Sequence, residues 1–352
     1  MIFAATRWSS IAEAGYDELA ALTAPLAVSM GDPAGVGPEI IAKAWAARET
    51  HRLPPFVAIG DARAIGRVWA GPVAQVDGLE AAAAAFATAL PVIAVQDAGE
   101  ILPGSPDLDG ARCSLHALEM AVGLVRSGAA RALVTGPVSK AQLYAVGFIH
   151  PGQTEFVAER CGVARDNTVM MLAGPSLRVV PITTHVPLAE VPALLTRELI
   201  VAKARATAKG LVRTFGIAAP RLAFAGLNPH AGEGGAIGRE EIEVIEPAIA
   251  ELRADGIDAT GPFAADTLFH PRAREAYDVV LCAYHDQALV PLKTIHFDEG
   301  VNITLGLPIV RTSPDHGTAF GIAGRDAAHP GAMIAAIAMA GMAADRRAAF
   351  HS

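Results

Sequence analysis

Short apolar runs, each closed by a Gly- or Pro-rich turn and followed by a stretch of helical spacing, recur along most of the chain. LAVSM at 26–30 runs into GDPAGVGPE, PFVAIG at 55–60 into Asp61, RALV at 131–134 into TGPVSK, RLAFA at 221–225 into GLNPH, and DVVLCA at 278–283 into YHDQ. A further apolar run lies at 91–95. Helical spacing is clearest at 111–127, where Leu115, Leu118, Ala121, Val122 and Val125 share a face. Helices are also expected at 39–48, 62–69, 79–87, 196–214 and 239–254. Pro38 suits a first helical turn and Asp61 an N-cap. The runs at 170–172 and 179–184 read as a hairpin around Gly174-Pro175. Alternation of this kind predicts an α/β fold with a mainly parallel sheet.

With 352 residues, the chain holds two domains or one large α/β unit. At 52% hydrophobic and 18% charged it can bury an ample core. The net charge of −8, with no basic stripe, argues against a nucleic-acid partner. An anionic substrate must therefore be drawn in by a local basic pocket. Cys113, Cys161 and Cys282 are odd in number and widely spaced, which excludes a disulfide framework and fits buried thiols in a reducing cytoplasm. No breaker-free apolar run of about 18 residues precedes the Ala-rich tail. That tail, 331–344, reads as a buried helix and not as a membrane span. Residues 1–24 differ from the rest and are expected to be an extension dispensable for catalysis.

The densest chemistry lies in 277–324. A buried strand there delivers His285 and Asp286 at its C-terminal end, where open α/β sheets place ligands. His185 and His230 likewise stand where an apolar strand gives way to a polar loop. Strand ends on one sheet edge can converge, so the three imidazoles could hold one divalent metal; separate loop histidines are the alternative. Lys293, Asn302 and Arg311 supply a point charge, an amide and a bidentate fork, a set suited to phosphate or carboxylate, or else are salt-bridged loop residues. Gln153 and Thr154 open a helix at its positive end. The loop 31–39 resembles a phosphate cradle or is a tight structural turn; it lacks G-x-G-x-x-G spacing. Asp266 and Asp286 can orient ligands or cap helices. No G-x-S-x-G is present, so a serine hydrolase is unsupported.

Together the motifs SMGDPAGVGPEI, TGPVSK, PGQTEFVA, TTHVPL, LNPHAGEGGAIGREE, AADTLF and AYHDQALVPLKTIHFDEGVNITLGLPIVRTSPDHGTAFGIAG resemble the PdxA family of 4-hydroxythreonine-4-phosphate dehydrogenases, in order, from about residue 25 to the end. The resemblance implies an isocitrate/isopropylmalate-dehydrogenase-like α/β fold, with two subdomains, a mainly parallel sheet and a cleft between them. One subdomain is expected from 25–138 with 312–352 and the other from 139–311. It implies metal ligands at His185, His230 and His285, with zinc, cobalt or magnesium as the ion. It also implies substrate contacts at Thr154, Lys293, Asn302 and Arg311. Gln153 stands where the family usually has His; it can donate a hydrogen bond but carries no charge. Residues His316, Gly317, Thr318, Ala319 and Phe320 look like the adenine-side loop of isopropylmalate dehydrogenases, which implies NAD or NADP. The implied assembly is a homodimer with a shared active site, His285 coming from one subunit and His185 and His230 from the other. The implied reaction oxidises the secondary alcohol of 4-phosphooxy-L-threonine and then loses carbon dioxide, a step of pyridoxal phosphate synthesis. Lys293, Asp286 and a metal-bound water remain open as general base. Paralogous activities on phosphorylated four-carbon sugar acids or dihydrodiols are the nearest rivals.

Overall fold

The structure, a computed structural model, describes residues 24–95, 98–164 and 167–351. Of the expected extension, residues 1–23 lie outside this set. The chain divides into two compact units, Met1–Val146 with Gly317–Pro330, and Gly147–His316 with Gly331–Ser352.

In the first unit β1 (Leu26–Ser29), α1 (Gly37–Ala46), β2 (Phe56–Gly60), α2 (Ala62–Val68), β3 (Val73–Gln75), α3 (Leu79–Ala85), β4 (Leu90–Ala94), α4 (Leu108–Arg126), β5 (Leu133–Thr135) and α5 (Lys140–Ala145) follow one another. The strands lie in the order β3-β4-β2-β1-β5, and every neighbouring pair among them is parallel. β1, β2 and β5 are buried along their whole length, as expected of parallel strands covered on both faces. Asp61 caps α2 by accepting from the Arg63 N–H at 2.9 Å, as its sequence position predicts. The chain reverses its direction of strand placement between β1 and β5. Their C-terminal ends are therefore the switch point at which such sheets seat ligands.

The second unit contains α6 (Gln153–Arg160), β6 (Val169–Gly174), β7 (Leu177–Pro181), α7 (Val191–Leu194), α8 (Arg197–Phe215), β8 (Arg221–Ala225), α9 (Glu246–Ala254), β9 (Asp258–Phe263), β10 (Val279–Cys282), α10 (His285–Ile295), β11 (Val301–Leu305), β12 (Arg311–Pro314) and α11 (Gly331–His351). Its strand order is β12-β11-β6-β7-β10-β8-β9. β7, β10, β8 and β9 run parallel, whereas β6 pairs antiparallel with β7 and β11, and β11 antiparallel with β12. The expected hairpin around Gly174-Pro175 is β6–β7. A core of Leu172, Val179, Val280, Leu289 and Leu292 seats α10 against the strands.

This division differs from the sequence expectation chiefly at the C-terminus. Residues 317–330 return to the first unit, but α11 packs in the second. The Thr312 hydroxyl donates to the Ala336 carbonyl at 2.9 Å. Buried Arg347 bonds the Thr214 hydroxyl and the Leu307 carbonyl, tying α11 to the end of α8. No described helix is long and apolar enough to cross a membrane.

Candidate active site

Three adjacent parallel strands of the second unit, β7, β10 and β8, end beside the three candidate metal ligands. Val179, Val180 and Pro181 pair with Val280, Leu281 and Cys282, and Val279 to Leu281 pair on the other side with Leu222 to Phe224. Pairing of β7 with β10 continues past both strands: the Ile182 N–H donates to the Cys282 carbonyl and the Thr183 hydroxyl to the Ala283 carbonyl, each at 2.8 Å. His185 and His285 are thereby delivered to the same edge. Their ring centroids lie 5.5 Å apart with 44° between the planes.

His285 is the first residue of α10, and its Nδ1 lies 2.7 Å from Asp286 Oδ1. A carboxylate can only accept, so Nδ1 carries the proton and the Nε2 lone pair is left for a ligand. Gln287 accepts from the Ala283 N–H at 2.7 Å and donates to the Gly226 carbonyl at 2.8 Å, fastening the end of β10 to the loop after β8. His185 (φ 55°) and His230 (φ 52°) both sit in the left-handed region, which non-glycine residues adopt mainly at constrained sites. His230 belongs to the turn Pro229–Gly235 and is not gathered with the other two. Among the described residues of one chain, no three His, Cys, Asp or Glu side chains form a group able to hold a metal ion. The chain thus brings two imidazoles together, one with its tautomer set by a carboxylate. That donor chemistry fits a zinc- or cobalt-like ion.

Of the anion candidates, Arg311 and Thr154 meet in a second cluster in the same unit. Arg311 opens β12 and is 3% exposed. Its guanidinium donates to the hydroxyls of Thr154 and Thr304, each at 3.2 Å. Burial lowers Arg311 to about 10, against the raising influence of Glu155. Thr154 is the second residue of α6, whose first backbone N–H groups have no partner within the helix. Gln153, partly buried, precedes it. Asn302 shares β11 and its face with Thr304, two residues on. Its Oδ1 is buried and makes no hydrogen bond within the described chain. Lys293 stands two turns along α10 from His285 and is paired with Asp315, Oδ2 at 3.1 Å and backbone oxygen at 3.2 Å. His285, Asp286, Leu289, Val290, Lys293, Thr294 and Phe297 line a surface pocket of about 490 Å³. Asp266, by contrast, is exposed in the single turn Ala265–Thr267.

The expected cofactor segment begins with exposed His316 at the end of the second unit. Gly317, Thr318, Ala319 and Phe320 belong to the first. The Thr318 carbonyl accepts from the Val36 N–H at 2.9 Å, so this segment lies on the Gly-rich loop that follows β1. Packing accounts for the glycines of that loop. A Cβ on Gly31 (φ 79°) would collide with the Pro137 carbonyl after β5, and one on Gly37 with the Met30 carbonyl. Two buried polar atoms there, Ser29 Oγ and Glu39 Oε2, have no hydrogen-bond partner among the described residues. These donors and acceptors at the β1/β5 switch point fit a nucleotide.

Asp32 in the same loop is pushed up to about 6, chiefly by burial and further by the Asp107 charge, against the Ala34 N–H bond that lowers it. Because its folded pKa exceeds the ordinary 3.8, folding favours the neutral acid. The associated stability is complete below that lower value and is lost as pH rises through the higher one. The shift corresponds to about 3 kcal/mol. Asp32→Asn keeps the acceptor for Ala34 and removes the charge. It is expected to raise stability by about 2 kcal/mol at pH 8 and to change little at pH 4, measured by denaturant melts.

Thr304, Asp315 and Gln287 were not singled out from the sequence. Thr304 carried a signal, since it follows Asn302 at strand spacing. Asp315 adjoins the His316 loop but has no partner visible in sequence.

The pyridoxal phosphate biosynthetic protein PdxA family model matches residues 52–340. A 4-hydroxythreonine-4-phosphate dehydrogenase of Zymomonas mobilis is 58% identical over 326 residues, covering 93% of this chain and 97% of that protein. The crystal structure of a 4-hydroxythreonine-4-phosphate dehydrogenase from Klebsiella pneumoniae superposes with a TM-score of 0.80 at 35% identity, covering 92% of this chain and 100% of that one. A terephthalate 1,2-cis-dihydrodiol dehydrogenase from Burkholderia xenovorans gives a TM-score of 0.61 at 31% identity, covering 91% and 98%. The chain belongs to the PdxA family of pyridoxal phosphate biosynthetic proteins and has the isocitrate/isopropylmalate-dehydrogenase-like α/β fold.

Proposed function

We propose that this protein is a nicotinamide- and divalent-metal-dependent 4-hydroxythreonine-4-phosphate dehydrogenase of the cytoplasm. Its reaction takes the secondary alcohol of the substrate to a ketone β to the carboxylate. The carboxylate then leaves as carbon dioxide, giving 3-amino-2-oxopropyl phosphate. The observation that carries this reading is the apposition of His185 and His285 at neighbouring strand ends in a chain whose relatives bear that name. His185, His230 and His285 hold the ion in a homodimer whose site draws on both chains. Exposed apolar Val290 (62%) and Phe297 (76%) on and after α10 support burial of that face in an assembly.

When bound, the ion supplies a Lewis acid for charge developing on the substrate oxygen, and oxidised NAD or NADP supplies the hydride acceptor. Arg311 and Thr154, with the first N–H groups of α6, bind the phosphate. Asn302 Oδ1 accepts from a substrate donor, and Gln153 adds an uncharged contact. Anchoring the phosphate fixes the reacting carbon relative to the histidines. Asp286 holds the proton on His285 Nδ1. Lys293, leaving Asp315 and handing its own proton to solvent, takes the alcohol proton as a neutral amine within the pocket it shares with His285. Residues 316–320 and the loop after β1 receive the nucleotide.

The test is NADH formation by the purified protein with 4-hydroxythreonine 4-phosphate, NAD and added Zn²⁺, Co²⁺ or Mg²⁺. Absence of NADH with all three ions, or unchanged turnover after exhaustive chelation, overturns the reading. The same assay with a phosphorylated four-carbon sugar acid and with a cis-dihydrodiol identifies the preferred substrate. A higher kcat/KM on either would assign the chain to a paralogous activity.

A further inference from the structure

We infer that Glu241 is the positioning residue of His230, acting through Asn228; this rests on the reading of His230 as a metal ligand. His230, Ala231, Gly232, Glu233 and Gly234 are five consecutive residues with φ between 44° and 78°. Three of them carry a Cβ, so the run is unfavourable by itself and must be held by its surroundings.

Asn228, two residues ahead of His230, is the anchor. Its N–H donates to Glu241 Oε1 at 2.8 Å and its Nδ2 to Glu241 Oε2 at 3.0 Å and to Glu240 Oε2 at 2.7 Å. Its carbonyl accepts from the Ala231 N–H at 3.1 Å, inside the run. Glu241 is 1% exposed, and both of its oxygens are occupied by Asn228. It opens the π-helical segment Glu241–Ile245, a local irregularity that turns a side chain off the regular helical path. The left-handed run closes over this carboxylate: a Cβ on Gly232 would stand 2.6 Å from Glu241 Oε2.

A buried carboxylate met only by amide donors is a costly choice unless geometry depends on it. Glu241 supplies two acceptors at once, and no neutral isostere does. In Glu241→Gln one of the two positions becomes an N–H₂ facing the Asn228 amide. Turning that amide over would bring its oxygen against the Glu240 carboxylate. One bond is therefore lost in either orientation, while volume is kept.

The experiment measures Zn²⁺ affinity by equilibrium dialysis of the full-length protein, with thermal melts on the same samples. The proteins are the parent, Glu241→Gln, His230→Ala and the double variant. The expected result is at least a tenfold loss of Zn²⁺ affinity in Glu241→Gln with a retained cooperative melt. The double variant is expected to bind no more weakly than His230→Ala alone, since the two changes remove one contribution. Parent-like affinity in Glu241→Gln, or a double variant weakened by the product of the two single losses, overturns the inference alone. Parent-like affinity in His230→Ala overturns the ligand assignment and the inference together. Asn228→Ala, which keeps the backbone bond to Glu241, covers the case in which Glu241→Gln does not fold. It is expected to show the same non-additivity with a smaller loss, and unchanged Zn²⁺ affinity there overturns the inference as well.

Discussion

His285→Ala is expected to lower turnover by about 10³-fold or more while moving the melting temperature by no more than about 2 °C. The two halves of that expectation have separate causes. Alanine at the first position of α10 leaves the strand behind it and the core face of the helix untouched: Ala288, Leu289 and Leu292 carry the packing. The one hydrogen bond lost by the ring is to Asp286, whose side chain is largely exposed, and exposed pairs of this kind contribute little to stability. On the proposed function, turnover depends instead on the freed Nε2, and loss of one of the three proposed imidazole ligands removes several kcal/mol of charge stabilisation where the alcohol reacts. Asp286→Asn should fall between. Its amide oxygen can still accept from Nδ1, but without charge, and losses of about 10- to 100-fold in metal affinity follow such changes. Steady-state kinetics and Zn²⁺ dialysis on one preparation of each variant check both statements. Turnover by His285→Ala within tenfold of the parent would remove this histidine from the site.

The apolar strands were readable because each is buried throughout: LAVS, FVAIG and VVLC have no solvent face to interrupt the run. The face of α4 was readable for the complementary reason, one side at helical spacing. α10 was not, since Tyr284 provides no side-chain cap and Pro291 lies inside the helix; both usual boundary signals point elsewhere. β11 and β12 escaped notice because Asn302, Thr304, Arg311 and Ser313 alternate with apolar or Thr residues and read as a polar loop. Their strand character comes from antiparallel pairing with each other and with β6, a tertiary fact. The site divides in the same way. Residue types at strand ends and helix starts could be selected from sequence. The approach of His185 to His285 could not, because it follows from the register of β7 on β10 across about a hundred intervening residues. The unit boundaries near 317 and 331 were hidden likewise, since the chain changes unit twice within continuous structure.

Arg311→Met is expected to lower kcat/KM by about 10²- to 10³-fold and at the same time to leave the ligand-free protein as stable as the parent or more so. Arg311 is a buried cation that donates to the hydroxyls of Thr154 and Thr304 and feels the Glu155 charge, yet burial outweighs these and its pKa is lowered on balance. Its descent from the usual guanidinium range to about 10 corresponds to a burial penalty of about 3 kcal/mol. A base with a depressed folded pKa destabilises the fold wherever it is charged, that is, at every pH below the lower value. The gain on removing it should therefore be flat between pH 6 and 8. Met fills comparable space with apolar atoms, and the threonine hydroxyls can rotate to other partners. The activity loss expected from the proposed function has a different origin: with Arg311 as the phosphate anchor, a phosphate dianion forfeits two charge-assisted bonds of about 1.5–3 kcal/mol each. Arg311→Lys separates charge from shape, because one ammonium cannot span Thr154 and Thr304 while presenting a fork to phosphate; intermediate kcat/KM is expected. Thermal melts with and without inorganic phosphate give the independent check. Phosphate should raise the melting temperature of the parent and not that of Arg311→Met, since only a state that binds the anion is stabilised by it. A large drop in melting temperature without ligand, together with near-parental kcat/KM, would make Arg311 a strut between β12, β11 and α6 and leave the phosphate without its principal cation.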